Sequence, residues 1–180
     1  ERRRTSNLQL TATYTLQFAD GSGSDANSSR GINNRGIIRN LVPLSVDERH
    51  RVTAVVDYRY GSGGSYDGPK IGDAEIFANT GINFNIAAVS GRHYSRTSVV
   101  RQFGGAGFNG AINGSRLPWT FNIDMRLDKR FDVKVSATRT MSFNAYLRVQ
   151  NLFDIRNVTD VFSFTGDAED DGFIISTFGT

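Results

Sequence analysis

The sequence predicts an all-β fold: a segment of an antiparallel transmembrane β-barrel, with about five long strands, long extracellular loops and short periplasmic turns, incomplete as a barrel. Three observations predict it. Polar and apolar residues alternate with a period of two in segment after segment, as in strands whose faces meet different surroundings. The segments alternate for about nine to seventeen residues, enough for the roughly 9–11 that cross a bilayer at a tilt; ordinary globular strands have about 5–6. The connections between them run long, short, long, short.

The first strand is expected over 7–19, where Leu8, Leu10, Ala12, Tyr14, Leu16 and Phe18 alternate with Gln9, Thr11, Thr13, Thr15 and Gln17. The polar stretch DGSGSDANSSRGINNRGIIRNLVPLSVDE then reads as a long loop. A second strand over 49–60 sets Val52, Ala54, Val56, Tyr58 and Tyr60 against Thr53, Val55, Asp57 and Arg59. GSGGSYDGPKIGD makes a short connection to a third strand over 74–90, where Ile76, Ala78, Ile82, Phe84, Ile86 and Ala88 oppose Asn79, Gly81, Asn83 and Asn85. SRTSVVRQFGGAGFNGAINGSRLP is the second long loop.

The fourth strand, over 118–135, has the clearest parity. Trp119, Phe121, Ile123, Met125, Leu127, Phe131, Val133 and Val135 share one face; Asp124, Arg126, Asp128, Arg130, Asp132 and Lys134 share the other, and Lys129 breaks the rule. At about 3.3 Å per residue, roughly 17 residues span more than 50 Å. A tight turn near SATRT leads to a fifth strand over 141–156, where Phe143, Ala145, Leu147 and Val149 oppose Asn144, Tyr146, Arg148 and Gln150.

A soluble β-sandwich also alternates, with its apolar side on the opposite sheet and its polar side in water. Length favours the barrel, and so does the absence of charge from the apolar parity at the segment centres, because a lipid-facing Arg or Lys near the midplane costs about 2–4 kcal/mol. Aromatic residues at segment ends, Trp119, Tyr58, Tyr60 and Phe18, suit the membrane interface. On this reading Asp57, Arg59, Asp124, Arg126 and Arg148 face the lumen. There they either bind or pass a solute, or form ion pairs between neighbouring strands.

Composition narrows the function classes. The 180 residues include no cysteine, so disulfides and thiolate metal sites are excluded. The net charge of +3 is mild, and its one basic run, Arg2 to Arg4, reads as a solvated chain end, so no nucleic-acid partner is expected. No apolar run is long enough for a transmembrane helix, and ERRRTSN opens no signal peptide. GAGFNG at 105–110 has dinucleotide-loop spacing, but Gly114 and Pro118 break the helix that pyrophosphate binding needs. His50 and His93 read as loop or rim residues, and with no nucleophile elbow an enzyme is not expected. In DAEDDG, Asp167, Glu169 and Asp171 before Gly172 copy the first half of a calcium loop, whereas Phe178 stands where a bidentate Glu belongs. Calcium is therefore the only cofactor considered, against the ordinary reading of a solvated acidic loop.

SRLPWTFNIDMRLDKRF, then YLRVQNLFDIRNV and FSFTGDAEDDGF, resemble the C-terminal barrel region of TonB-dependent outer-membrane receptors, in particular the Oar-like group of Bacteroidota. Asn151, Leu152, Phe153 and Asp154 are similar to the signature on the penultimate strand of these barrels. The resemblance spans about residues 115–173, and the upstream strands agree in pattern. It implies residence in the outer membrane of a Gram-negative bacterium and uptake of a large or scarce solute. The lipid bilayer, TonB acting through a plug region, the unidentified solute and other outer-membrane proteins would be the partners. The plug domain and the final strand of such receptors are not found in 1–180, so the chain is expected to be a fragment of one barrel domain. A non-transporting barrel, acting as scaffold or adhesin, a complete barrel of about eight strands, and a soluble β-sandwich binding module are the alternatives.

Overall fold

The computed structural model describes residues 2–5 (main chain), 7–23, 40–100, 107–136 and 138–174. The loop at 24–39, the start of GAGFNG and the final STFGT lie outside the described residues. The fold is all-β. Its elements are β1 (Arg2–Thr5), β2 (Leu8–Leu16), β3 (Asp20–Gly21), β4 (Val42–Pro43), β5 (His50–Arg59), β6 (Lys70–Ile71), β7 (Ala74–Glu75), β8 (Thr80–Val89), β9 (His93–Tyr94), β10 (Ser115–Arg116), β11 (Thr120–Ser136) and β12 (Arg139–Val149). No helix among the described residues is long and apolar enough to cross a membrane.

Six strands form one sheet in the order β1-β2-β5-β8-β11-β12, so each long strand pairs with the next long strand in sequence. The sheet is antiparallel and open: β1 and β12 are its edges and do not meet. The short strands form two-stranded ribbons, β3 with β4, β6 with β7 and β9 with β10, inside the connections.

The register realises the alternation. Across β11 and β12, Leu127 faces Leu147, Phe131 faces Phe143 and Val133 faces Met141, while Arg126 faces Arg148, Arg130 faces Asn144 and Asp132 faces Ser142. Lys129, the exception in the pattern, lies opposite Ala145, and its ammonium donates to the Ile76 carbonyl and sits 5.5 Å from the Phe131 ring centre. The charge thus leaves the apolar surface through the nearby turn.

That apolar surface is uncovered. Phe131, Val133 and Phe143 are 46%, 49% and 53% exposed, and Leu8, Tyr14, Phe121, Met141 and Leu147 are exposed as well. Among the described residues only Tyr66 and Val100 are buried hydrophobics. Covering one such side chain is worth about 1.5–3 kcal/mol. Several together therefore rival the about 5–15 kcal/mol of a whole domain. An exposed apolar surface of this extent marks an interaction face.

Strand ends differ from the sequence expectation where backbones turn left-handed. The strand expected over 74–90 starts at Thr80, because Asn79 has φ 55° and Ala74–Glu75 is taken up by a ribbon. The strand expected over 141–156 stops at Val149. Asn151 and Asp154 both have φ 50°, so the Asn-Leu-Phe-Asp stretch forms a turn instead of continuing the strand. The Asn151 side chain closes it, accepting from Ile155 N–H at 3.0 Å and donating to Ile155 O at 3.1 Å. Arg2 to Arg4, expected as a solvated end, pair as β1 along β2.

The chain divides into two compact units. Glu1–Tyr14, Val52–Ala87 and Phe121–Ile155 make the first, which includes the connection at 60–79. There Tyr58, Tyr60, Tyr66 and Phe77 cluster, and the Tyr66 hydroxyl donates to Pro69 O and accepts from Phe77 N–H. The second is Thr15–Arg51, Ala88–Thr120 and Arg156–Thr180, made mostly of the long connections. In it a Cβ on Gly91 would collide with the Leu117 carbonyl, so only glycine permits that approach.

Candidate functional site

Residues of one parity on four neighbouring strands point to the same side of the first unit. β5 supplies Asp57 and Arg59, β8 Asn83 and Asn85, β11 Asp124, Arg126 and Asp128, and β12 Asn144 and Arg148, and together they line a basin of about 540 Å³. All five residues expected to face a lumen, Asp57, Arg59, Asp124, Arg126 and Arg148, lie in it.

It holds a two-pronged ion pair. Arg59 donates through Nη1 to Asp128 Oδ2 at 2.9 Å and through Nη2 to Asp128 Oδ1 at 3.0 Å, a geometry that fixes both planes. The pair joins β5 to β11 although β8 runs between them. Gly81 on β8 makes that possible, since a Cβ there would stand 2.6 Å from Arg59 Nη2. Asp128 is 7% exposed, so losing its partner would strand a nearly buried carboxylate. Asp124 Oδ1 accepts from Asn122 Nδ2 at 3.0 Å and from Asn151 N–H at 2.9 Å, tying the end of β12 to β11.

Sequence reasoning did not single out Asp128, Gly81, Asn83, Asn85 or Asn144. Parity alone places all five on the polar face. The role of Gly81 carries no sequence signal, because it depends on the strand order.

The second unit holds a different cluster. Asp47 is fully buried, and its Oδ2 accepts from Arg49 at 2.7 Å and Arg116 at 3.3 Å, with His93 Nε2 at 3.4 Å. Burial pushes this carboxyl up, but the Arg49 hydrogen bond and the charges of Arg49, Arg116 and His93 outweigh it and hold it below its ordinary value. His93, read from sequence as a loop or rim residue, is buried. His50 stacks on Trp119, with ring centres 6.0 Å apart.

In the acidic turn the carboxylates of Asp167 and Asp171 are engaged with backbone N–H groups. Asp167 Oδ1 accepts from Glu169 N–H at 2.7 Å and Asp170 N–H at 3.2 Å, and Asp171 Oδ1 accepts from Phe173 N–H at 2.9 Å. Asp167 and Asp171 thus hold tight turns. The Glu169 and Asp170 N–H groups keep the Asp167 carboxyl below its ordinary range. Among the described residues no three His, Asp or Glu side chains are grouped as a metal would need. Gly110 is followed by a turn at 111–114 and then β10, with no helix to hold a dinucleotide.

Comparison of the chain with protein-family models, with curated proteins and with solved structures finds no match.

Proposed function

We propose that this chain is a stretch of wall and outer loops from a TonB-dependent outer-membrane transporter that takes up a large or scarce solute. The apolar face meets lipid and the polar face a watery lumen. The long connections lie outside the cell, where the solute arrives first. Energy reaches the intact receptor through TonB and its plug, a part of the reading that rests on the resemblance alone.

The observation that carries the proposal is a single-layered sheet with an uncovered apolar face and a charged basin on the opposite one. A soluble sandwich would place its second sheet on the apolar side. Among the described residues no such layer is present. Lipid is a cover that needs no further protein.

Single cysteines along 119–128 of the full-length protein, in intact outer membrane, test it. Odd positions should react with a lipid-confined thiol reagent and even positions with a water-soluble one. Odd positions shielded from both reagents would refute the barrel and restore the sandwich. Solute uptake that persists without TonB would leave the barrel standing and refute the transporter.

A further inference from the structure

Each carboxylate of the basin has a partner, while two of its guanidinium groups have no hydrogen-bond or ion-pair partner among the described residues. Asp128 holds Arg59 with both oxygens, Asp124 accepts from Asn122 and Asn151, and Asp57 is engaged as well. Arg126 and Arg148 stand directly opposite each other across β11 and β12. Neither has a carboxylate within ion-pair distance among the described residues; the contact of Arg126 is the Tyr146 ring, 5.0 Å away. Side chains directly opposite on a sheet have Cβ atoms about 4.5–5.5 Å apart, and like charges there repel. An oxyanion between the two would relieve that repulsion and accept from both planar forks.

Resting on the lumen reading above, we infer that Arg126 and Arg148 form an anion-binding subsite on the solute's path, taking a carboxylate, phosphate or sulfate group of a polar solute. The amides of Asn83, Asn85 and Asn144 line the same basin and suit the hydroxyl or carbonyl groups such a solute carries. The formal charges of the basin balance, so the preference is local: it comes from two guanidinium groups set directly opposite each other and not from net charge.

The test places a sole cysteine in the basin, Asn144→Cys, in the full-length protein in outer membrane. Its reaction rates are compared for two water-soluble methanethiosulfonates of equal size, one anionic and one cationic. The anionic reagent should react about tenfold faster, as expected of a focused positive site, with the gap narrowing as salt rises. Arg126→Gln with Arg148→Gln should bring the rates together, and each single variant should lie between. Millimolar citrate should protect the cysteine, whereas sorbitol should not. Equal rates, a preference that survives loss of both arginines, or no protection by citrate would overturn the subsite and leave the lumen intact. No labelling by either soluble reagent would overturn the lumen reading, and the subsite with it.

Discussion

Replacing Gly81 by alanine should destabilise the protein, although the same change in an ordinary strand would stabilise it. Gly81 has no positive φ, so alanine fits its backbone and would gain about 0.4–1 kcal/mol by restricting the unfolded chain. The added Cβ, however, would stand 2.6 Å from Arg59 Nη2 and 2.7 Å from Cζ. Ordinary contact requires the guanidinium to lift by about 1 Å, which stretches hydrogen bonds of 2.9–3.0 Å past the useful range of about 3.2 Å. The side chain is long enough to swing clear, so the collision itself is cheap. What is lost is the partner of a nearly buried carboxylate, worth about 1–3 kcal/mol. The net loss should be about 1–2 kcal/mol, measured as the urea midpoint of the full-length protein folded in detergent. In an Arg59→Ala/Asp128→Ala background the sign should reverse, and Gly81→Ala should become neutral or stabilising. Equal destabilisation in both backgrounds would refute the idea that glycine is there to let the arginine pass.

Three more perturbations test other parts of the fold. Asp47→Ala should leave Arg49, Arg116 and His93 without their common acceptor and cost about 3–5 kcal/mol, read as faster proteolysis of the long connections. Because the Asp47 carboxyl is held below its ordinary value, its contribution should be complete above about pH 4 and fade only as pH falls through the lower folded value; a loss between pH 7 and 5 would contradict the assignment. Leu127→Arg, halfway along β11 on the apolar face, should cost about 2–4 kcal/mol and reduce the amount of protein assembled in membrane, whereas Asn85→Lys on the other face should cost under about 1 kcal/mol. Asn151→Ala should cost about 1–2 kcal/mol by losing both Ile155 hydrogen bonds and straining a left-handed backbone, while Asn151→Gly should keep the turn conformation, as hydrogen exchange of residues 151–155 would report.

Face and strand identity were legible because a period of two records the surroundings of each side chain one residue at a time. That is why Asp57, Arg59, Asp124, Arg126 and Arg148 could be grouped before any strand order was known. Strand ends were less legible. Asn79, Asn151 and Asp154 are also tolerated in extended chain, and nothing in the alternation marks which of them will turn left-handed. The passage of Arg59 over Gly81 to Asp128 needs three strands in register, so no local pattern could disclose it. Asp47 and His93 meet across two long connections, where sequence separation erases periodicity altogether. The pairing of Arg2 to Arg4 with β2 was hidden by their charge, which reads as solvation until an adjacent strand offers backbone partners.

The order of the sheet also bears on how the chain can reach it. Each long strand pairs with the next long strand in sequence, so the pairings differ chiefly in the length of chain that must close. The links differ widely in loop entropy: residues 137–138 join β11 to β12, whereas 17–49 join β2 to β5. That difference is about four doublings of loop length, or roughly 2.5 kcal/mol of closure cost. Entropy thus favours the β11–β12 hairpin as the first pair to close, with its free edge as a template to which the earlier strands add one at a time.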